Sequence, residues 1–574
     1  MPEFGLFFYC VIFMQRKDFI SGIQEMKSYF FGGNYMLEIK NVSVNLSIND
    51  RKLVENFNFT LSQGDKAVLI GEEGNGKSTL LKLIYDESLV EDYCQHSGQI
   101  IKKGRLAYLP QSFPEEGLDS TIETYFSGEE VAKNAQVLAR LGLNVTFTSS
   151  HQLIRTLSGG EKIKIQLAKI LFSEPDVLLL DEPTNDIDIA TLDWLEGFIA
   201  NSREPILFIS HDETLIEKTA NVIIHMEQLM RKTKPKITIA RTGYTDYVEA
   251  RNQAFDKQTQ VARKQRADHK TQMQRWKQIH DRVDHQGRNI AKADRDFIGG
   301  RLKKKMAGVK ATGKRLEKQS EDFLEIPEME DAILTQFAPQ IFLPQGKVML
   351  MLELSGLYVG ENDSAGVCDR EGIRNCIDVG VSSCVDVGYS AGVDRRKLTG
   401  TINLTVVGPA RIGIIGKNGT GKSTLLKKIW ESLQQRADIK PAYMPQDYAE
   451  VLDYNQPVID FLAADAHKST ITKVRTYLGS MKFTPDEMLG KIGKLSGGQK
   501  AKILFLDMVL KGANVLVLDE PTRNFSPLSA PEIRKTLTNF GGAIISVSHD
   551  RKYLEEVCDT VYELTVKGLT KVEP

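Results

Sequence analysis

Two stretches, GEEGNGKST at 71–79 and GKNGTGKST at 416–424, hold residues suited to gripping phosphates. Each follows an apolar run (KAVLI; RIGII) and precedes a helical one (LLKLIY; LLKKIW), the context such a loop requires. Gly71, Gly74 and Gly76 in the first, and Gly416, Gly419 and Gly421 in the second, let backbone N–H groups close around an anion at a helix N-terminus. Lys77 and Lys422 would reach the outer phosphates, Ser78 and Ser423 would ligate Mg2+, and Thr79 and Thr424 close the loops.

More chemistry follows in fixed order. Ser158-Gly159-Gly160 in LSGGE and Ser496-Gly497-Gly498 in LSGGQ each precede an apolar run that ends in an acid pair, Asp181-Glu182 or Asp519-Glu520. An acid at the end of a buried strand can hold a metal ion through water, and the next acid can polarise an attacking water. A second apolar run then ends at His211 or His549, each able to touch a terminal phosphate. Ser158 to Asp181 and Ser496 to Asp519 are both 23 residues; Glu182 to His211 and Glu520 to His549 are both 29. Identical spacing of this kind means one domain duplicated.

With Gln111 in LPQ and Gln446 in MPQ added, the sequence resembles ABC-type ATPases twice over, from Met36 onward. The resemblance implies an α/β fold with two P-loop ABC ATPase domains, and ATP and Mg2+ as cofactors. It also implies head-to-tail pairing of the halves within a monomer. One site would combine Gly71–Thr79 with Leu495–Gln499, the other Gly416–Thr424 with Leu157–Glu161. The halves differ where DEPTNDID becomes DEPTRNFSPLS, so that Asp188 corresponds to Ser526 and the sites are expected to be inequivalent. The family's adenine-stacking aromatic has no clear counterpart: Leu46 stands there in the first half, with Tyr358 nearby in the second.

The elements around these motifs divide the 574 residues into a tail (1–35), a first ATPase domain (36–238), a linker (239–345) and a second ATPase domain (346–574). The longest apolar run, FGLFFYCVIFM at 4–14, is too short for a bilayer, which needs about 20 residues. It lacks the basic residues that open a signal peptide, and strand-like alternation begins only at MLEIKNVSV from Met36, a possible true start. Six scattered cysteines without a CxxC pair fit a reducing cytosol. The second half carries an insertion at 361–399 with a tandem repeat, CIDVGVSS and CVDVGYSA. Cys368, Cys376 and Cys384 fall eight apart there; without a histidine beside them, a low-complexity surface loop is expected over a metal site.

The chain is nearly neutral, with 74 Lys+Arg against 75 Asp+Glu, yet residues 251–320 carry 20 basic and 7 acidic side chains. Concentrated positive charge points to a polyanion. Val248, Phe255 and Ala262 fall seven apart, followed by Met273, Trp276, Ile279 and Val283; Leu302, Val309, Leu316 and Phe323 also fall seven apart. Two such narrow seams predict a long antiparallel helical hairpin, with Gly287 and Gly299-Gly300 breaking the helix at a long turn.

A basic hairpin between two ATPase halves, entered through GYTDYVEAR (243–251), resembles the ABC-F family of translation factors. The resemblance implies ribosome binding in the cytoplasm, with the linker in the E site against 23S rRNA and P-site tRNA and no stable membrane partner. Arg288, Lys292, Arg295, Arg301, Lys303, Lys304, Lys305 and Lys310 would then contact RNA. The long turn and the DEPTRNFSPLS loop resemble members that protect ribosomes against lincosamides, pleuromutilins and streptogramin A. Phe297 and Ile298 would lie near the drug pocket, or else pack the tip upon itself. Two other readings stay open: a housekeeping ABC-F factor for stalled or initiating ribosomes, and the ATPase subunit of a transporter.

Overall fold

The computed structural model describes residues 35–47, 50–127, 129, 131–229, 234–288, 295–321, 323, 343–359, 396–463 and 467–572. It forms two compact units, one of Met1–Tyr244 with Asp331–Pro574 and the other of Thr245–Glu330.

The first unit holds the duplication. Its first half has a six-stranded sheet in the order β5 (Leu106–Leu109), β6 (Val177–Asp181), β7 (Ile206–Ile209), β3 (Lys66–Ile70), β8 (Val222–Gln228), β9 (Lys234–Ala240). All pairs are parallel except β8 with β9. β3, β6 and β7 are buried along their whole length, as continuous apolar strands covered on both faces must be. Beside this lies a three-stranded antiparallel sheet of β1 (Tyr35–Leu46), β2 (Lys52–Ser62) and β4 (Cys94–Lys102), in the order β2-β1-β4.

The second half repeats the six-stranded order with β11 (Pro441–Met444), β12 (Val515–Asp519), β13 (Ala543–Val547), β10 (Arg411–Ile415), β14 (Thr560–Thr565) and β15 (Gly568–Val572). The register aligns the functional ends. Leu69 and Asp181 both sit beside Ile209, and Ile414 and Asp519 both sit beside Val547. Phosphate loop, acid pair and histidine therefore emerge together at the carboxyl edge of each sheet, where open α/β sheets bind ligands.

Tyr35 already belongs to β1, and the first half's sheet runs on to Ala240. The rest of the tail, and most of the 361–399 insertion with Cys368, Cys376 and Cys384, lie outside the described residues. The insertion is closed at its base by a short ladder in which Tyr358 pairs with Lys397.

The second unit contains most of helix Tyr244–Arg288 and all of helix Arg295–Glu321. Trp276 Nε1 donates to Val309 O at 2.7 Å, and a ring nitrogen of His269 meets Leu316 O at 3.0 Å. Seven residues up one arm is thus seven down the other, which is antiparallel heptad pairing. Gly313 makes the close approach possible: a Cβ there would stand 2.7 Å from Trp276 Cζ2.

Two expectations for this hairpin fail. Gly287 and Gly299-Gly300 lie within the helices, not at a break. A glycine costs a helix only about 1 kcal/mol, which a long helix can absorb near its end. The residues between the two helices, 289–294, lie outside the described ones. Finally, Ile279 is 51% exposed. The sheltered row runs through Met273, Trp276, His280 and Val283, so a histidine fills the place assigned to Ile279. A seam alternating three and four steps allows either residue between Trp276 and Val283, and spacing alone cannot choose.

Candidate functional site: paired nucleotide clefts

β3 delivers the chain into Gly71–Gly76, and helix Lys77–Tyr85 begins after Gly76, whose φ of 89° is left-handed. The second loop copies this, with Gly421 at φ 92° before helix Lys422–Gln434. Gly71, Gly74, Gly416 and Gly419 also have positive φ. Each loop lysine folds back on its own loop. Lys77 Nζ donates to Gly71 O at 2.9 Å and Glu72 O at 3.1 Å, and Lys422 Nζ to Gly416 O at 2.8 Å and Lys417 O at 3.1 Å. Thr79 lies near the Tyr93 hydroxyl, and Thr424 lines the second cleft.

Ser78 Oγ donates to Asp181 Oδ1 at 2.8 Å, and Tyr108 OH to Asp181 Oδ2 at 2.9 Å. Ser423 stands close enough to Asp519 to lower its carboxyl, whereas Asp519 Oδ2 is buried without a hydrogen-bond partner among the described residues. Burial raises both aspartates above the usual carboxylate range. A serine hydroxyl beside a dehydrated carboxylate is the hard oxygen set that Mg2+ prefers, so these residues fit that ion.

The glutamates that follow have φ 48° (Glu182) and 52° (Glu520), a conformation costly for a residue with a Cβ and held only by firm surroundings. Their settings differ. Burial would raise Glu182, but His211, Asn185 and Lys77 outweigh it and hold the carboxyl down to about 2. Asn185 and Gln111 each donate to Glu182 Oε2 at 2.8 Å, and His211 Nε2 stands 3.5 Å from Oε1. Glu520 is pushed up to about 8 by burial, with Asp519 adding to it. Its Oε1 and the Nδ1 of His549 have no hydrogen-bond partner among the described residues. His549 is driven down to about 4 by burial and by Lys422.

The halves interleave. Ser158 caps helix Gly159–Phe172 in a reciprocal capping box with Glu161, and Ser496 caps helix Gly497–Leu510 with Gln499. Gly498 N donates to Glu73 Oε2 of the first phosphate loop at 2.5 Å, so that loop faces the second half's LSGG. The second loop faces the first half's LSGG across a cleft of about 1140 Å³, lined by Ser158, Gly159, Gly421, Lys422, Ser423, Gln446 and both glutamates. Gly160 is packed against Thr191, and Gly497 borders an adjoining cleft with Gln446. Ser158→Ala should remove about 1 kcal/mol of helix stability, read as faster amide exchange in the first turn of Gly159–Phe172, with Ser158→Thr restoring most of it.

Beyond the loop–LSGG pairing, sequence reading missed three cross-half contacts at the clefts. His211 Nδ1 donates to Phe525 O at 2.8 Å, Asn418 Nδ2 to Asp186 O at 2.6 Å, and Arg523 reaches Asp186 at 3.0 Å. The signal lay in the unlike loops after DEPT. Asp188 caps helix Ile189–Asn201 by accepting from Thr191 N at 2.9 Å, whereas the Ser526 hydroxyl pairs with that of Ser529 at 2.6 Å. Tyr358 lies beneath Lys397, whose Nζ is 5.8 Å from its ring centre, and Leu46 packs on the first half's core.

A phosphate loop, acid pair and histidine repeated at two sheet edges, each loop facing the other half's LSGG, define a twin-cassette ABC-type ATPase. Comparison agrees. The family model described as "ABC transporter" matches residues 54–185 and 399–523. Relatives include ATP-binding protein Uup of Buchnera aphidicola, 27% identical over 91% of this chain and 79% of its own. ABC transporter F family member 2 of Arabidopsis thaliana is 25% identical over 90% and 75%, and human ATP-binding cassette sub-family F member 3 is 26% identical over 94% and 73%. The chain is thus similar to ABC-F proteins along most of its length, and its two P-loop ABC ATPase domains hydrolyse ATP. A solved archaeal complex of ribosomal stalk protein aP1 and ribosome recycling factor aABCE1 shares the fold, with TM-score 0.51 over 93% of this chain and 90% of that one at 14% identity. No helix among the described residues is long and apolar enough to cross a membrane.

Proposed function

We propose that this ATPase is a cytoplasmic, monomeric ribosome-binding factor whose hairpin enters the E site, meets 23S rRNA and P-site tRNA, and protects the peptidyl transferase centre from antibiotics. The supporting observation is the hairpin's charge, 20 basic against 7 acidic side chains over 251–320. Arg301, Lys303, Lys304, Lys305 and Lys310 are exposed, as phosphate contacts require. Arg288, Lys292, Arg295, Phe297 and Ile298 carry side chains outside the described residues.

In this reading each ATP sits between one half's phosphate loop and the other half's LSGG. Lys77 or Lys422 turns from the loop carbonyls to the phosphates, and Ser78 with Asp181, or Ser423 with Asp519, would hold Mg2+. That ion would neutralise phosphate charge when bound. Glu182 and Glu520 orient and deprotonate water, and His211 and His549 touch the terminal phosphate. ATP joins the halves; hydrolysis releases them, and the hairpin leaves with them.

Changing Lys303, Lys304 and Lys305 to Gln should weaken ribosome co-sedimentation. It should also flatten the log–log salt dependence by about 0.7–0.9 for each phosphate no longer neutralised. Unchanged binding and slope would remove the hairpin from the interface. A second reading, a translation factor for stalled or initiating ribosomes, rests on the same ATP sites and the same basic hairpin. Susceptibility of a sensitive bacterium expressing the chain separates the two. Protection against lincosamides, pleuromutilins or streptogramin A supports the first, and unchanged susceptibility with retained ribosome binding supports the second.

A further inference from the structure

A shift of 338 residues carries the first half onto the second, Ser158 onto Ser496 and His211 onto His549. The same shift carries Glu196 onto Arg534, Glu213 onto Arg551 and Lys218 onto Glu556. Three charged positions all change sign.

These positions meet where the halves join. Arg534 donates to both carboxylate oxygens of Glu213, at 3.0 and 3.2 Å, with side chains 3% and 6% exposed. Arg551 donates to Glu196, and also reaches Asp193 at 2.8 Å and Asp212 at 3.4 Å. By the repeat these are one contact made twice: position 213 with 534, and its equivalent 551 with 196. The partners inside each half are inverted as well, Lys218 with Glu196 at 2.8 Å and Glu556 with Arg534 at 2.8 Å. Lys552 strengthens the pattern, reaching Glu213 at 3.2 Å and Glu217 at 2.6 Å.

In a symmetric pair of first halves the same geometry would set Glu213 against Glu196; in a pair of second halves, Arg551 against Arg534. A buried charge facing its own sign rejects a partner strongly, and a bidentate carboxylate–guanidinium pair rewards the right one. We propose that this sign-inverted cluster is a pairing code. It selects the first half against the second, and it rejects first–first and second–second pairing between chains. The code stands apart from whatever the hairpin binds.

Two full-length variants test it. E196R/E213R/K218E gives both halves the second half's signs; R534E/R551E/E556K gives both the first half's. Each alone should lose more than about tenfold of its ATPase activity, since the facing charges now repel. All six substitutions in one chain should restore activity and a monomer. Mixing the two variants should restore activity as a two-chain species, each half finding its complement in the other molecule, which also shows that both variants are folded. Wild-type activity with a monomeric mass in either variant alone would overturn the proposal. So would failure of recovery in both the six-fold variant and the mixture.

Discussion

Replacing Glu182 and Glu520 together by glutamine should lower ATP turnover by about 10²–10⁴-fold, the usual contribution of a positioned general base. Glutamine keeps the shape and the left-handed backbone but cannot take a proton. The halves should then close on ATP and stay closed, and the variant should accumulate on ribosomes when ATP is present. Sedimentation free of ribosomes under those conditions would contradict the proposed function. The single variants should not match. Glu182 is ionised in its cage of His211, Asn185 and Gln111, so Glu182→Gln removes a working base. Glu520, pushed up to about 8 by burial, is largely protonated at neutral pH, where glutamine resembles it. Glu520→Gln should therefore cost less near neutrality, and its cost should grow as pH rises through about 8 and the wild-type carboxyl ionises. Equal effects at every pH would show that the sites do not differ in this way.

Trp276→Ala should loosen the hairpin while leaving basal ATPase activity intact. Loss of a large aromatic costs about 3–5 kcal/mol when it is fully buried. Trp276 is only half-buried, so the lower end applies, together with loss of its hydrogen bond to Val309 O. Gly313 leaves room for the indole and has no side chain of its own to fill the gap. Amide exchange should quicken along both arms, and salt-dependent ribosome binding should fall with it. Trp276→Phe, which keeps most of the area but no N–H, should lie between. Unchanged protection in the alanine variant would mean the arms are held elsewhere.

The sequence disclosed what repeats and what is local. Two phosphate loops and two acid pairs at equal spacing announce two like sheets, because each motif needs a strand before it. The pairing of each phosphate loop with the other half's LSGG came from the family resemblance, but the individual contacts that make it were not legible. Neither Glu73 on Gly498 N nor Phe525 O on His211 has a local signature, since the partners lie hundreds of residues apart. The left-handed glutamates were hidden too, because nothing in DEPT marks a positive φ. In the hairpin, heptad spacing found Ala262, Trp276 and Val283 but misplaced Ile279, and glycines chosen as breakers turned out to be helical. Composition named the charge; only the fold shows which of those charges stand exposed.

The matched register of the hairpin bears on how its reach can change. Removing residues from one arm alone would slide Trp276 and His269 past Val309 and Leu316 and misalign the whole seam. Removing seven from each arm keeps every surviving pair. Length is therefore quantised, adjustable in paired heptads that each shorten or extend the hairpin by about 10 Å. An engineer wishing to retune how far it extends has a ruler with coarse marks, and one-sided insertions fall between them.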